Sequence, residues 1–338
     1  MVQILTPPEQ SAQKNQPLLH VRDLEVEYRT KRGTVKAVDH VSFELFPNEV
    51  FGLAGESGCG KSTIAHAVTR LLKPPAYITG GELMFRNTDL LTMEPETLRD
   101  FRWKHMSIVF QSAMNSLNPV LTVGDQIIDA IQAHKVISKK EARDRAYELL
   151  KLVGIDEVRI NSYPHQLSGG MRQRVVIAIA LTLNPELIIM DEPTTALDVV
   201  VQKQIMDQIR ELKKQFGFSI LFISHDLSLM VEFSDRVGIM YAGELVEVAP
   251  SRDIFNSPKH PYTIKLMNSF PSVTGPMHEL TGIPGSPPDL ITPPPGCRFH
   301  PRCDLAITGR CNVVRPVLKE IAPRHLAACH LLDQEVRR

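Results

Sequence analysis

A glycine-rich segment near the N-terminus carries the residue types that bind phosphate. It follows an apolar run, residues 50–54, and precedes an apolar segment with helical spacing, residues 64–72. Glycines let consecutive backbone N–H groups turn towards one anion, and the positive end of a helix dipole attracts the same anion. Strand, loop and helix in this order predict a phosphate-binding loop for a nucleoside triphosphate. The loop and the first helical turn consist of Gly55, Glu56, Ser57, Gly58, Cys59, Gly60, Lys61, Ser62 and Thr63.

Three side chains of this segment have predicted positions. Lys61 is expected to reach the β- and γ-phosphates of ATP, and the hydroxyl of Ser62 to hold Mg²⁺. Thr63 is expected in the first helical turn, which also faces phosphate. The alternative is a glycine-rich turn that happens to precede a helix, but every fixed position of the motif is filled.

Four short apolar runs are predicted as buried parallel strands, and a polar residue follows each of them. The runs are residues 50–54, 107–110, 187–190 and 219–223. The residues that follow are Lys61, Gln111, Asp191 with Glu192, and His225. Ligands of open α/β sheets bind at the carboxyl ends of the strands. We therefore expect the four segments to converge on one site.

A second glycine-containing segment, residues 167–173, opens a long apolar-rich helix before the third of these strands. Alone, Ser168, Gly169 and Gly170 could be only a helix N-cap and a tight turn. In this order with its flanking elements, the segment resembles the signature loop of the ATP-binding-cassette (ABC) family. The resemblance covers roughly residues 18–335. It implies an α/β fold, a P-loop ATPase with an antiparallel β subdomain and a helical subdomain.

The resemblance also implies roles for the residues at the strand ends. Asp191, which ends the Walker B strand, would bind Mg²⁺, and Glu192 would orient and deprotonate the attacking water. Gln111 would contact Mg²⁺ or that water. His225 would contact the γ-phosphate and hold Glu192 and the water in line. Tyr28 would stack on adenine, although aromatic residues at strand positions usually pack in the core.

The signature loop implies a dimer, because one nucleotide already has a helix start at Lys61. In the resembled family each loop equivalent to residues 168–170 caps the ATP held by the phosphate loop of the other subunit. Asp198, in the segment 196–198 that matches the D-loop, would communicate across this interface. ATP would close the dimer, and its hydrolysis would reopen it.

Composition divides the chain into three predicted parts. Residues 1–17 are polar and are expected to form a flexible tail without the apolar core of a signal peptide. Residues 18–250 are expected to form the nucleotide-binding domain, with a helical subdomain at about residues 112–168. Residues 251–338 are predicted to form a small, irregular C-terminal domain, because 14 of the 25 prolines lie at or beyond residue 250.

Two local patterns predict elements inside the nucleotide-binding domain. Residues 18–46 alternate between apolar and polar types, which indicates antiparallel strands. Ser138 followed by Glu141 is a capping-box pattern, and it predicts a helix that stops at Gly154.

Charge and hydropathy limit the possible partners. The chain has 38 acidic and 38 basic residues, whereas nucleic-acid-binding proteins usually carry a basic excess, so we expect no nucleic-acid partner. No apolar run approaches the length of a membrane-spanning helix. We expect the chain on the cytoplasmic face of the membrane, where any membrane role comes through a partner.

Four of the five cysteines crowd the C-terminal region, with the spacing Cys-x₅-Cys-x₇-Cys-x₁₇-Cys. In a reducing compartment such a cluster favours a metal site over disulfides. Four thiolates suit tetrahedral zinc and an iron–sulfur cluster equally well, and free structural thiols are the third possibility. In a zinc site a histidine could replace one cysteine. The cysteines are Cys297, Cys303, Cys311 and Cys329, and the histidines are His300, His325 and His330.

Three segments resemble the oligopeptide/dipeptide importer branch of the ABC family: residues 116–119, 260–263 and 296–303. Members of that branch usually work as two different ATPase subunits beneath two transmembrane permease subunits, and an extracytoplasmic solute-binding protein feeds them. Residues 287–290 resemble a segment of one of these two ATPase subunits, the one with the longer C-terminal tail. Some members hold a [4Fe–4S] cluster on their tail cysteines, which favours the cluster over Zn²⁺ here. The branch also carries nickel and oligosaccharides, so the sequence does not name the solute.

Two other classes of protein compete with the importer. One is a soluble ABC ATPase of DNA repair or translation, which the neutral charge and the single cassette disfavour. The other is an adaptor with a dead site. It is disfavoured because Lys61, Asp191, Glu192 and His225 are all present.

Overall fold

The computed structural model describes residues 16–111, 116–135, 137–195, 197–269 and 282–335. The chain forms two compact units, each assembled from separate segments. The described residues of the first unit are 16–18, 45–49 and 92–222 without the gaps above, and the remaining described residues form the second unit. Most of the predicted N-terminal tail, residues 1–15, lies outside the described residues.

An antiparallel sheet opens the second unit. It contains β1 (Leu19–Thr30), β2 (Gly33–Leu45), β4 (Ala76–Phe85) and β5 (Thr88–Asp89) in the order β2-β1-β4-β5. Strand β1 pairs antiparallel with β4, with Leu19 opposite Phe85. Val21 and Val26 are fully buried on β1. The apolar alternation therefore correctly predicted antiparallel strands here.

The phosphate loop follows a strand of a second sheet in the same unit. Strand β3 (Val50–Ala54) leads through the loop into α1 (Lys61–Val68). It pairs in parallel with β9 (Arg236–Tyr241), and β9 pairs antiparallel with β10 (Glu244–Pro250). Helix α7 (Leu227–Phe233) precedes β9.

The C-terminal region is mostly irregular, as its proline content predicts. It contains α8 (Ser251–Asn256), α9 (Pro261–Asn268) and α10 (Leu332–Glu335). We expected no sheet here, but two short strands extend the second sheet. Strand β12 (His325–Ala327) pairs with the edge of β10, and β11 (Lys319–Ala322) pairs with β12. The prediction failed because an unpaired edge strand accepts even a short partner.

The first unit holds three fully or mostly buried strands in the order β8-β7-β6. These are β6 (Met106–Val109), β7 (Leu187–Asp191) and β8 (Ser219–Ile223), and β6 and β7 are parallel. The three predicted apolar runs are thus confirmed as strands. The helices of this unit are α2 (Pro95–Lys104), α3 (Val123–Gln132), α4 (Lys139–Leu152), α5 (Gly169–Ala180) and α6 (Val199–Phe216).

The helix α4 shows the predicted capping box. The backbone N–H of Glu141 donates to Ser138 Oγ at 3.2 Å, and the N–H of Ser138 donates to Glu141 Oε2 at 2.9 Å. Ala142 and Leu149 of α4 are fully buried, and the chain leaves the helix at Gly154 with a φ of +67°. Cap and apolar face together define the helix locally.

Among the described residues, no helix combines the length and apolarity that crossing a membrane requires.

A buried carboxylate fastens the C-terminal region to β10. Glu247 is fully buried and accepts a hydrogen bond from His325 Nε2 at 2.7 Å. The backbone N–H groups of Lys259 and His260 also donate to it, at 2.7 and 2.9 Å. Burial alone raises the pKa of Glu247, but the hydrogen bonds from His325 and the backbone outweigh it and hold that pKa below its usual value. The ionised carboxylate is therefore the form that stabilises the fold.

We expect Glu247→Gln to lower the free energy of unfolding at neutral pH by about 2–3 kcal/mol, the range for hydrogen bonds to a charged group. Because the folded pKa is the lower one, the unfolded wild type takes up its proton first, so this contribution begins to fall below about pH 5 and is lost as the pH drops through the folded pKa. Denaturant titrations at pH 7 and at about pH 3, below the usual pKa of a glutamate, measure both effects. The control is Glu320→Gln, at an exposed position of β11, which pairs with β12. Equal pH slopes for wild type and Glu247→Gln would contradict this role.

Candidate functional site

The phosphate loop has the backbone conformation that only glycine adopts easily. Gly55 and Gly60 have φ values of +146° and +107°. A Cβ at Gly55 would lie 2.1 Å from the carbonyl oxygen of Met240, and one at Gly60 would lie 2.3 Å from that of Ala37. Glycine is therefore required at both positions by sterics as well as by φ.

Lys61 begins α1 and its side chain returns across the loop. Its Nζ donates to the carbonyl oxygens of Gly55 at 2.8 Å and Glu56 at 3.0 Å. Cys59 lies beside it, with Sγ 3.5 Å from Nζ, and burial raises the pKa of the Cys59 thiol. The Nζ atom of Lys61 is therefore held at the loop, in a position from which it could contact a phosphate.

Tyr28 and His225 belong to the same unit as the loop. The hydroxyl of Tyr28, on β1, lies 3.3 Å from Thr63 Oγ1 in the first turn of α1. The Tyr28 side chain is half-buried. His225 is exposed where β8 ends, just before Asp226 caps α7.

In the first unit, β7 delivers the predicted acidic pair. Asp191 is buried at the end of the strand. Glu192 follows with a φ of +48°, a strained conformation for a residue other than glycine. Gln111 Nε2 donates to Glu192 Oε2 at 2.8 Å, and Thr195 Oγ1 donates to the same oxygen at 3.0 Å. Gln111 and Glu192 are thus in direct contact, which was not predicted, and Thr195 is a further neighbour that sequence reasoning missed.

The signature and D-loop residues lie at helix starts in the first unit. Ser168 caps α5 and accepts a hydrogen bond from the N–H of Met171 at 3.3 Å. Gly169 and Gly170 open α5. Asp198 is exposed and caps α6, where it accepts from the N–H of Val201 at 2.9 Å. Ala196 of the D-loop and residues 112–115 after Gln111 lie outside the described residues.

Two apolar side chains beside Asp198 face outwards. Val199 and Val200, in the first turn of α6, are 80% and 67% exposed.

The four tail cysteines line one small, partly open cavity. The residues that share this lining are Cys297, Cys303, Cys311, Cys329, His260, Pro261, Phe299, His300, Leu305, His330 and Leu331. Burial raises the pKa of Cys297 to about 12 and that of Cys329 to about 11. Both thiols are therefore protonated at neutral pH.

Sulfur spacing in this cavity bears on the choice of metal. Tetrahedral zinc, with Zn–S bonds of about 2.3 Å, brings its sulfurs to about 3.8 Å from one another. Among the described residues, only Glu25, Asp39 and His40 place three potential ligand atoms within 4.8 Å of one another. No three of the tail thiols lie that close to one another.

The three histidines differ in their access to the cavity. His325 does not line it and instead bonds to Glu247, so it is not a zinc ligand in this structure. His330 uses Nε2 on the carbonyl oxygen of Val314 at 2.8 Å and Nδ1 on Asp333 at 3.3 Å. His300 Nδ1 lies 2.9 Å from the carbonyl oxygen of Cys297.

Sequence reasoning missed two contacts of the phosphate loop. Arg302 and Tyr262, both from the C-terminal region, bond to Glu56. They lie in the segments 296–303 and 260–263, which resemble a family branch but for which no contact was predicted. The signal was therefore present as a motif without a physical role.

Comparisons with known proteins agree with this arrangement. Residues 38–195 match the family described as ABC transporter, and residues 246–311 match the oligopeptide/dipeptide transporter C-terminal region. The chain is 45% identical to the dipeptide transport ATP-binding protein DppD of Bacillus subtilis, over 94% of this chain and 95% of the relative. It is 47% identical to a probable peptide ABC transporter ATP-binding protein, y4tR, of Sinorhizobium fredii, over 95% of this chain and 96% of the relative.

Solved structures show the same fold. The dimeric ATP-binding cassette MJ0796, in a post-hydrolysis state bound to ADP and Pi, superposes with a TM-score of 0.62 at 30% identity. The match covers 69% of this chain and 99% of MJ0796. The chain therefore belongs to the ATP-hydrolysing subunits of the ABC transporter family, in the branch defined by the oligopeptide/dipeptide transporter C-terminal region.

Proposed function

We propose that this chain hydrolyses ATP to power the uptake of oligopeptides or dipeptides across the cytoplasmic membrane. The observation that carries the ATPase assignment is the carboxylate of Glu192, which two donors fix at the end of β7. The peptide class rests on the names of the relatives, which match over nearly the whole chain. Oligosaccharides and nickel, which the resembled branch also carries, are the alternative solutes.

Each site residue has one task in the proposed reaction. Lys61 and the backbone N–H groups of the phosphate loop bind the β- and γ-phosphates. Glu192 takes the proton of the attacking water, and Gln111 holds the Glu192 carboxylate in orientation. His225 contacts the γ-phosphate, and Tyr28 offers its ring to adenine.

The residues present fit a magnesium ion. Ser62, Gln111 and Asp191 supply the hard oxygen donors that Mg²⁺ prefers. Bound there, Mg²⁺ would neutralise charge that develops on the phosphate oxygens. The buried carboxylate of Asp191 has the character of such a ligand.

The exposed caps of α5 and α6 support a partner ATPase. Ser168, Gly169 and Gly170 would complete the nucleotide site of a second ABC subunit, and Asp198 with its neighbouring valines would face that subunit. A heterodimer of two different ATPases would bind two transmembrane permease subunits. An extracytoplasmic solute-binding protein would deliver the solute, and the chain would lie on the cytoplasmic face of the membrane without a nucleic-acid partner.

The four-cysteine cavity supports a structural metal group. We propose a [4Fe–4S] cluster on Cys297, Cys303, Cys311 and Cys329, with Zn²⁺ as the alternative. One cavity gathers all four thiols, which supports a shared metal group, and the resemblance to the importer branch favours the cluster. Such a group would cross-link the proline-rich region, which is short of large apolar side chains.

We expect Glu192→Gln to bind ATP but to lose hydrolysis by roughly two to four orders of magnitude, the usual contribution of a positioned base. Uptake of a labelled dipeptide by membrane vesicles that contain the assembled complex should fall in parallel. The matched control is Glu186→Gln, just before the opposite end of β7, where Glu186 pairs with His105.

Near wild-type hydrolysis by Glu192→Gln would contradict the base assignment. Wild-type vesicles that hydrolyse ATP in response to an oligosaccharide or nickel, and not to peptides, would contradict the proposed solute.

We expect anaerobically purified protein to be brown and to contain about four irons per chain, the stoichiometry of one cluster. Iron content should fall sharply in Cys329→Ser. It should not change in Cys59→Ser, because Cys59 lies in the phosphate loop outside the cavity. One zinc per chain without iron would show that the site binds zinc instead of a cluster. The absence of both metals would contradict the metal site.

A further inference from the structure

The guanidinium of Arg302 connects the C-terminal region to the phosphate loop. Its side chain is only 6% exposed. It donates to both carboxylate oxygens of Glu56, from Nη1 at 2.8 Å and from Nη2 at 3.1 Å. Nη1 also lies 3.2 Å from the hydroxyl of Tyr241, and Nε donates to the carbonyl oxygen of Pro284 at 2.7 Å. A buried, bidentate pair of this kind has a single geometry.

Glu56 is a position where a free carboxylate would harm ATP binding. It is the second residue of a loop that is built to attract a triphosphate, and a like charge there repels the phosphates. Arg302 neutralises the charge of Glu56 and fixes the position of its carboxylate.

The backbone of Glu56 is held as firmly as its side chain. Its N–H donates to the hydroxyl of Tyr262 at 3.0 Å, and its carbonyl oxygen accepts from Lys61 at 3.0 Å. The attachments through Arg302 and Tyr262 come from the C-terminal region. Lys61 and the N–H of Cys59, which lies 3.3 Å from the Glu56 carbonyl oxygen, hold Glu56 from within the loop. The conformation of the loop therefore depends on that region.

The same two residues adjoin the four-cysteine cavity. Arg302 ends a short 3₁₀ turn, His300–Arg302, and Cys303 follows it directly. Tyr262 packs on Phe299, with 5.3 Å between ring centroids, and Phe299 lines the cavity. Two short series of contacts therefore connect the cavity to Glu56, one through Arg302 and one through Tyr262.

We propose that Arg302 is a positioning residue for ATP binding, through which the order of the four-cysteine site sets the affinity of the phosphate loop. The link between Arg302 and Glu56 stands on its own contacts. Its dependence on a metal rests on the metal site proposed above.

Equilibrium binding of a fluorescent ATP analogue to the full-length chain tests the link. We expect Arg302→Gln to weaken binding about tenfold or more, because it leaves Glu56 charged and unpaired. Arg302→Lys should be intermediate, since it keeps the charge but loses the bidentate geometry. The double variant Glu56→Gln/Arg302→Gln should bind more tightly than Arg302→Gln, because the repelling charge is gone. In the assembled complex, Arg302→Gln should raise KM for ATP and leave kcat nearly unchanged.

The control is Arg310→Gln. Arg310 also precedes a tail cysteine, but it pairs with Asp333 at 2.6 Å instead of with the phosphate loop. It should bind the analogue as the wild type does. Wild-type affinity in Arg302→Gln, or no recovery in the double variant, would overturn the proposal.

A second comparison tests the dependence on the cysteines and serves if Arg302→Gln does not fold. Cys329→Ser should weaken binding of the analogue in the wild-type background but have a smaller effect in the Glu56→Gln background. Equal effects in both backgrounds would overturn the coupling. Iron and zinc content measured on the same samples separates the two proposals: without either metal the metal site fails, while recovery in the double variant still supports the Arg302–Glu56 link.

Discussion

A phosphate-binding loop must be held in shape by groups outside it. Backbone N–H groups that bind the anion are not available for hydrogen bonds within the loop. In this protein Lys61 closes the loop from within. Arg302 and Tyr262 hold Glu56 from the C-terminal region. This requirement links the nucleotide site to a part of the chain that has no catalytic residue of its own.

The same principle applies to the base of the reaction. Glu192 has a positive φ, which costs free energy in a residue with a side chain. The buried strand β7 before it and the two donors to its carboxylate offset that cost. Strain of this kind persists only where the surrounding structure determines the conformation, and here it aims the carboxylate of the proposed base.

Local signals in the sequence predicted the elements that carry the site. The apolar runs at residues 187–190 and 219–223 became strands, and the capping box at Ser138 became the start of α4. The hairpin of β9 and β10 had no prediction, because its residues are buried on both faces and show no alternation. The pairing of β12 with β10 and the ion pair between Glu56 and Arg302 join distant parts of the sequence. Periodicity and caps carry no information about such contacts. The sequence therefore offers His325 as a possible metal ligand, whereas in the structure it is the partner of Glu247.

Hydrogen exchange at the Glu56 amide tests most directly whether the C-terminal region holds the phosphate loop. The measurement compares nucleotide-free wild type with Tyr262→Phe, which removes only the hydroxyl that accepts the Glu56 N–H. We expect slow exchange in the wild type before any ATP is added, and clearly faster exchange at Glu56 in Tyr262→Phe. Rapid exchange in the wild type, or equal rates in the two proteins, would contradict the conclusion that this region orders the loop.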